Sequence, residues 1–256
     1  MQKIIQLITR FIPRETQQRI AHFFLRIVSI FYRGNTYQDP INNKRYRKLL
    51  PYGRINARPN ALAPDSMSLE RHRAIWLFLQ NETTFFTENV KFLHVAPEYC
   101  FLRLFKNQKN LDYVTADLSS PWADVKMDIR KMPFEENTFD AAMCNHVFEH
   151  VWEDVDSMRE FYRVLKPGGW AVFQVPIRWN QSKTYEDPSI TEPAEREKHF
   201  GQRDHVRYYG ADYTERLQKA GFHVDVVDLN KKFSADQMKK FALLPNEKII
   251  FCTKKK

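Results

Sequence analysis

The chain has 256 residues, enough for one well-cored domain with an appendage. Hydrophobic residues make up 43% and charged residues 28%, which is ordinary for a globular protein. The net charge of +9 is unevenly placed, because residues 1–60 carry twelve Lys and Arg against Glu15 and Asp39, whereas the remainder sums to −1. A nearly neutral main body argues against a nucleic-acid partner, for which a clustered basic face is expected.

The cysteines and the apolar runs bear on metal binding and on the location of the protein in the cell. Cys100, Cys144 and Cys252 stand far apart without a CxxC pair, so we expect no metal site, and an odd count fits a reducing compartment. Pro13 and its charged neighbours interrupt the first apolar run, which is therefore not typical of a signal peptide. Arg26 breaks the longest candidate membrane span. We expect a cytoplasmic protein, either free or peripheral to the inner face of the membrane.

Residues 1–33 carry apolar side chains at helical spacing with arginines between them, and Pro13 is predicted to separate two helices. Such a basic amphipathic stretch suits an anionic membrane surface. It also suits a helical cap packed on its own domain or on a second subunit, as in a homodimer, and amphipathic helices face a protein core more often than a membrane. The proline-containing residues 34–65 read as a linker or an irregular wrap. We therefore divide the chain into an N-terminal helical extension with linker, residues 1–64, and a main domain, residues 65–256.

The main domain alternates strand and helix patterns. A helix begins near residues 66–70, where either Ser66 or Ser68 is the predicted cap. We predict strands over 91–96, 112–116, 125–128, 139–144, 170–175, 222–227 and 248–253, with helices over 151–165 and 212–220. This alternation predicts an α/β fold, a doubly wound and mainly parallel sheet with helices on both faces. The link from Asp117 to Val125 is too short for a crossover helix, so an irregular turn is expected there.

In open parallel sheets, ligands bind beyond the carboxyl ends of the strands. Asp117 ends the second predicted strand, where a carboxylate commonly accepts hydrogen bonds from a ribose diol. An aspartate that stabilises a turn or caps a helix would occupy the same position.

Four segments in order carry a resemblance to a known family. They are residues 128–134 (DIRKMPF) with 137–140 (NTFD), 144–151 (CNHVFEHV), 165–169 (LKPGG), and 204–210 (DHVRYYG) with 221–222 (GF). Together they resemble the type 11 class I S-adenosylmethionine-dependent methyltransferases. The resemblance implies a Rossmann-like, seven-stranded sheet of order 3-2-1-4-5-7-6 with an antiparallel last strand. It also implies S-adenosylmethionine as cofactor. Our hypothesis for the acceptor is a small molecule, glycan or lipid.

Carried over by position, the resemblance also implies a cofactor site. Residues 96–98 and the adjoining strand end would lie beside the methionine and ribose, Asp117 at the ribose hydroxyls, and Asp128 with Ile129 at the adenine. Arg71 or His72 would pair with the methionine carboxylate, whereas Arg73 is expected to be a surface charge. The implied cofactor residues are Arg71, His72, His94, Ala96, Pro97, Glu98, Asp117, Asp128, Ile129, Asn145 and His146.

The first loop departs from the family, because residues 94–100 (HVAPEYC) contain none of the usual glycines. Glycines let backbone approach a ligand closely, and Pro97 also lacks an N–H donor. Either the loop binds the cofactor through altered contacts such as Glu98, or the chain is a catalytically decayed binding or regulatory module. A glycine-free loop excludes a conventional dinucleotide fingerprint.

Methyl transfer from a sulfonium is an in-line displacement in which positioning does much of the work, and a protic acceptor also needs a base. We predict His150 or His205 as that base, with Glu149 beside them at the cleft mouth. Arg207 is predicted to orient the substrate, or else to pair with Asp204 or Asp212. The long segment 177–210 is typical of a lid or substrate loop.

Overall fold

The computed structural model describes residues 14–53 and 57–256, which divide into two compact units. The first unit comprises the chain up to Thr83 together with Asp228–Glu247, and the second comprises Thr84–Val227 together with Lys248–Lys256. The domain boundary predicted after residue 64 falls within the first unit. The helix predicted ahead of Pro13 lies outside the described residues.

The described ranges contain seven α-helices, thirteen strands and two short 3-10 turns. The helices are α1 (Arg14–Phe31), α2 (Glu70–Glu82), α3 (Tyr99–Lys106), α4 (Asp154–Val164), α5 (Pro193–Phe200), α6 (Tyr213–Lys219) and α7 (Ala235–Lys240). The strands are β1 (Arg33–Gln38), β2 (Arg45–Tyr46), β3 (Leu50–Tyr52), β4 (Arg58–Leu62), β5 (Val90–Val95), β6 (Leu111–Asp117), β7 (Val125–Lys126), β8 (Phe139–Asn145), β9 (Leu165–Gln174), β10 (Tyr185–Glu186), β11 (Arg207–Tyr208), β12 (His223–Asp228) and β13 (Lys248–Thr253). The 3-10 turns are Phe148–His150 and Leu229–Lys231. None of the helices in these ranges is both long and apolar enough to cross a membrane.

The first unit contains short strand pairs where a linker was expected. Strand β1 pairs antiparallel with β2, and β3 with β4, so the described residues of 34–65 include two small strand pairs instead of an irregular wrap. Tyr46, Leu49 and Ala63 are buried together beneath them. The predicted serine cap of α2 is wrong: the helix begins after Leu69, whose backbone N–H donates to Nδ1 of His72 at 3.1 Å. The side chain that caps α2 thus belongs to His72, a residue of the first turn of the same helix.

The second unit is built on a seven-stranded sheet in the order β12-β13-β9-β8-β5-β6-β7. Strands β5 to β9 pair in parallel, whereas β13 runs antiparallel to β9. This is the order expected from the resemblance, so the predicted doubly wound fold is confirmed. The turn of residues 118–124 between β6 and β7 is irregular, also as predicted.

Strand pairing aligns the carboxyl ends at one edge. Val95 of β5 pairs with Ala116 of β6 and with Cys144 of β8, so the residues that follow these three strands come together. Apolar side chains fill both faces behind this edge, and α4 packs Met158 and Phe161 into the largest core cluster. Burial of such side chains is the main driving force for the sheet, at roughly 25 cal/mol per Å² of apolar surface.

The LKPGG segment belongs to β9, whereas the sequence predicted that it would end a helix and precede the strand. Gly168 adopts a φ of +81°, which favours glycine. A Cβ on Gly169 would lie 2.8 Å from the carbonyl oxygen of Lys166 and 3.0 Å from that of Asp140. The two glycines therefore permit the irregular pairing with which β9 starts beside β8.

Candidate functional site

The carboxyl edge of β5, β6 and β8 carries two non-glycine residues in the left-handed region. Ala96 has a φ of 50° and His146 a φ of 56°. The Ala96 N–H donates to Ala116 O at 2.9 Å, and the His146 N–H donates to Gln174 O at 2.7 Å. A left-handed conformation costs a residue with a Cβ about 1 kcal/mol, and such strain clusters at functional edges. Ala96 thus adopts the backbone conformation for which glycine is ordinarily favoured.

A buried network holds Glu98 in the glycine-free loop. One carboxylate oxygen, Oε2, lies 2.5 Å from Nε2 of His94, and the other, Oε1, accepts a hydrogen bond from Nδ2 of Asn145 at 2.8 Å. Nδ1 of His94 lies 2.8 Å from the hydroxyl of Tyr113, whose pKa is raised by burial, so this hydroxyl stays protonated and donates. The Nε2–H of His94 then donates to Glu98. His94 is completely buried, so it acts on this edge only by positioning Glu98.

Asp117 has the turn role that the sequence left open, and its ribose role stays a prediction. Its Oδ1 accepts hydrogen bonds from the backbone N–H groups of Ser119 at 2.7 Å and Ser120 at 2.6 Å, which is the turn role. No described residue donates to its Oδ2. That oxygen remains available to a ligand hydroxyl at the end of β6.

Asp128 and Ile129 follow β7 and differ in exposure. The guanidinium of Arg130 binds the Asp128 carboxylate, with Nη2 at 2.7 Å from Oδ2, and this hydrogen bond holds the pKa of Asp128 below its usual range. Ile129 is buried in the main core cluster, so its side chain is committed to packing. The adenine contact predicted for these two residues stays a prediction.

S-adenosylmethionine carries an ammonium and a sulfonium, and its ribose offers two hydroxyl donors. Glu98 and Asp117 place carboxylates at the edge where such groups need acceptors, and a carboxylate oxygen that already accepts one hydrogen bond retains capacity for another. Pro97 supplies no N–H here, so this loop offers a ligand the Glu98 carboxylate as an acceptor and one backbone donor fewer. The residues present fit this cofactor.

Arg71 and His72 lie on α2, in the first unit. His72 is buried with its Nδ1 engaged at the start of its own helix, and Arg71 is half-buried. Their contact with the methionine carboxylate stays a prediction. The expectation of a surface position for Arg73 is wrong, because its side chain is completely buried.

Three predicted catalytic residues come together at the 3-10 turn after β8. The carboxylate of Glu149 and the rings of His150 and His205 each offer one atom within 4.8 Å of the others. The two rings meet edge to face with centroids 4.7 Å apart, and the Val206 N–H donates to Glu149 O at 2.9 Å. Burial lowers the pKa of His205, which favours its neutral form. The 3-10 turn and the long segment 177–210 therefore contribute side chains to one cluster.

Arg207 is buried, and its guanidinium binds other groups of the protein. It is 1% exposed, and its donors bind Glu186 Oε2 at 2.7 Å, Trp152 O at 2.8 Å and Phe148 O at 3.1 Å. A substrate group would have to displace one of these acceptors, so the geometry does not support the substrate-orienting role. Nor are its partners the predicted Asp204 or Asp212. Glu186 gave no sequence signal, because it is one of several acidic residues in a polar segment.

Comparisons with known proteins agree with this architecture. A model of the methyltransferase domain family, type 11, matches residues 98–173. Cycloartenol-C-24-methyltransferase 1 from Oryza sativa subsp. japonica is 41% identical over 68 residues, which is 26% of this chain and 19% of that protein. The chain thus spans about a fifth of the length of this curated relative.

Solved structures share the fold at low identity. The cyclase SpnF superposes with a TM-score of 0.51 at 14% identity, covering 93% of this chain and 96% of that one. An S-adenosylmethionine-dependent methyltransferase from Mesorhizobium loti has a TM-score of 0.47 at 14% identity, covering 71% and 98%. The family match over residues 98–173, the strand order and the post-strand segments together agree with a class I methyltransferase domain of type 11.

Proposed function

We propose that this protein transfers a methyl group from S-adenosylmethionine, bound at the carboxyl edge of β5, β6 and β8, to a small-molecule, glycan or lipid acceptor beside the Glu149–His150–His205 cluster. The observation that carries the proposal is the fixed carboxylate of Glu98. A decayed loop would have no reason to retain two hydrogen bonds that hold a charged side chain at the cofactor edge. This supports altered contacts over loss of the site.

The bound cofactor would supply an electrophilic methyl group on a sulfonium. Asp117 Oδ2 would accept a ribose hydroxyl, and Glu98 would accept from the ammonium. Nδ1 of His205 lies 3.0 Å from Phe200 O, to which its N–H donates, so Nε2 carries the lone pair that can take a proton from an acceptor. His150 is the second candidate base, and the buried carboxylate of Glu149 would stabilise the imidazolium formed on either ring.

Replacing Asp117 with alanine is expected to weaken cofactor binding by about 10- to 100-fold, the effect of losing one or two hydrogen bonds to a charged acceptor. Isothermal titration calorimetry with S-adenosylmethionine and S-adenosylhomocysteine measures it. The matched control is Asp112→Ala, which removes a 68%-exposed carboxylate from the same strand. This control is expected to bind like wild type.

If wild-type protein binds neither ligand, the methyltransferase proposal fails, and the binding or regulatory module becomes the better interpretation. Equal affinities of the Asp117 and Asp112 variants would leave the activity open but remove the ribose role of Asp117.

We also propose that α1 lies on an anionic membrane surface. Six large apolar side chains on one helical face are exposed, among them Phe23 at 63%, Phe24 at 59% and Phe31 at 70%; the others are Ile20, Ile27 and Ile30. An exposed apolar patch marks an interaction site. Arg19 and Arg26, seven residues apart, flank this face and match the charge of anionic lipid headgroups better than an identical, equally basic copy of the helix.

Sedimentation with vesicles of phosphatidylcholine alone or mixed with phosphatidylserine tests this proposal. We expect binding to the mixed vesicles, lowered at least tenfold by the double variant Phe23→Asp and Phe24→Asp, because charges would replace two exposed rings that insert into the bilayer under this proposal. Thr36→Asp, at an exposed polar position, is the control. A wild-type dimer in solution that the same double variant dissociates, without vesicle binding, would overturn the membrane proposal in favour of a homodimer.

A further inference from the structure

Two buried polar atoms at the 3-10 turn lack hydrogen-bond partners among the described residues. They are Oε2 of Glu149 and Nε2 of His205, on side chains that are 2% and 4% exposed. Buried polar groups are normally satisfied, and each exception calls for an explanation such as an ion. Both atoms belong to the cluster already described, so a single ligand could satisfy them together.

The hydrogen bonds around the two histidines are those of metal ligands. Nδ1 of His205 lies 3.0 Å from Phe200 O, and Nδ1 of His150 lies 3.3 Å from Asp204 O and 3.4 Å from its carboxylate. A metal-bound histidine almost always donates its other ring N–H to such an oxygen, which fixes the tautomer and the ring orientation. Both rings are therefore held with Nε2 left for coordination.

The carboxylate is held in a similar way. Oε1 of Glu149 lies 3.1 Å from Nδ1 of His146, which orients the group and leaves Oε2 directed away from that partner. The ligand atoms of Glu149, His150 and His205 lie within 4.8 Å of one another. Ligands of a tetrahedral zinc ion are about 3.4 Å apart, so side-chain rotations that shorten these separations by at most about 1.4 Å would complete the geometry.

We propose that Glu149, His150 and His205 bind one divalent zinc ion through a carboxylate oxygen and two imidazole Nε2 atoms. Two nitrogens and one oxygen are a ligand set that zinc favours, and three protein ligands leave the fourth position open to water or substrate. The sequence predicted no metal because it has no cysteine pair, and this site uses no cysteine. The inference does not rest on methyl transfer; with zinc bound, the ion would take over the role of promoting proton loss from an acceptor hydroxyl.

Untagged protein, stripped with a chelator and titrated with Co²⁺ and then Zn²⁺ in the absence of S-adenosylmethionine, tests the proposal. We expect one Co²⁺ per chain with the visible absorption of a four- or five-coordinate ion, displaced stoichiometrically by Zn²⁺. The isosteric Glu149→Gln is expected to weaken Zn²⁺ binding at least 100-fold. His205→Asn retains an amide that can donate to Phe200 O, and is expected to do the same.

The matched control is His223→Gln, which removes a histidine that is 59% exposed and outside the cluster. Zn²⁺ is also expected to raise the melting temperature of wild type and of this control, but not of the cluster variants, which separates lost binding from lost folding. Failure of wild type to bind Zn²⁺, or binding that both cluster variants retain, would overturn the proposal. Because cofactor is absent throughout, either result is independent of the fate of the proposed activity.

Discussion

Replacing Asp154 with alanine is expected to lower the free energy of unfolding by about 3–5 kcal/mol, the range for removing one partner of a buried ion pair. Asp154 is 2% exposed and joins two arginines: Arg216 binds both its oxygens at 2.7 and 2.9 Å, and Arg207 lies 3.5 Å away. Its Oδ2 also accepts from the buried hydroxyl of Tyr209 at 2.7 Å. Without the carboxylate, Arg216 is left with Glu186 as its charged partner, and the buried hydroxyl of Tyr209 loses its acceptor.

Asp156→Ala is the matched control for this prediction. Asp156 lies two residues further along α4 and pairs only across the surface with Arg159, with 66% and 58% of the two side chains exposed. Exposed pairs contribute about 0–1 kcal/mol, so this variant should unfold nearly like wild type. Urea unfolding followed by circular dichroism measures both. Asp154→Ala within 1 kcal/mol of the control would show that Glu186 alone neutralises the arginines.

The second large effect is expected at Arg73, where Arg73→Met should lower the free energy of unfolding by about 3 kcal/mol or more, since hydrogen bonds to charged groups contribute about 1.5–3 kcal/mol each. The buried guanidinium donates to four backbone oxygens, at 2.7–3.0 Å, which belong to Ala61, Ser68, Phe241 and Ala242. Methionine has a similar reach and no donor, so these carbonyls would lose their shared partner.

Arg47→Met, at an exposed position of the same unit, is the control and is expected to change stability by less than about 0.5 kcal/mol. Both variants are compared by urea unfolding. Arg73→Lys is informative as well, because one ammonium with three donors cannot span four carbonyls and should recover only part of the loss. Wild-type stability of Arg73→Met would mean that the carbonyls find other partners.

The sheet and its order could be predicted because each strand is a short apolar run followed by a turn, and four motifs in order fixed their connection. The apolar face of α4 could also be predicted from its helical spacing, and Met158 and Phe161 on this face pack into the core. The hairpins of residues 34–65 could not be predicted, because strands of two or three residues such as β2 and β3 are too short to show alternation.

The candidate functional site could be predicted in part from the sequence. Proximity to strand ends selected Glu98, Asp117, Glu149 and His150, because parallel strands share one carboxyl edge. His205 was selected from the long segment 177–210, and only the structure shows that it joins Glu149 and His150. The partners of Arg73 and Arg207 were not predictable. Arg73 sits in a charged run that looks solvated, and two of its acceptors are carbonyls 168 and 169 residues away. Every residue has a backbone carbonyl, so the sequence does not show which carbonyls accept these hydrogen bonds.

The insertion of Asp228–Glu247 into the first unit has a consequence for biosynthesis. Arg73 leaves the ribosome long before residues 241 and 242, whose carbonyls complete its hydrogen bonds. At typical elongation rates this interval is on the order of 10 s. During that time the nascent N-terminal segment carries this charged group without its full set of acceptors, and the same segment includes the exposed apolar face of α1. The first unit can therefore complete its folding only after residues 241 and 242 have been synthesised. A chaperone or a lipid surface that covers α1 early would protect the growing chain.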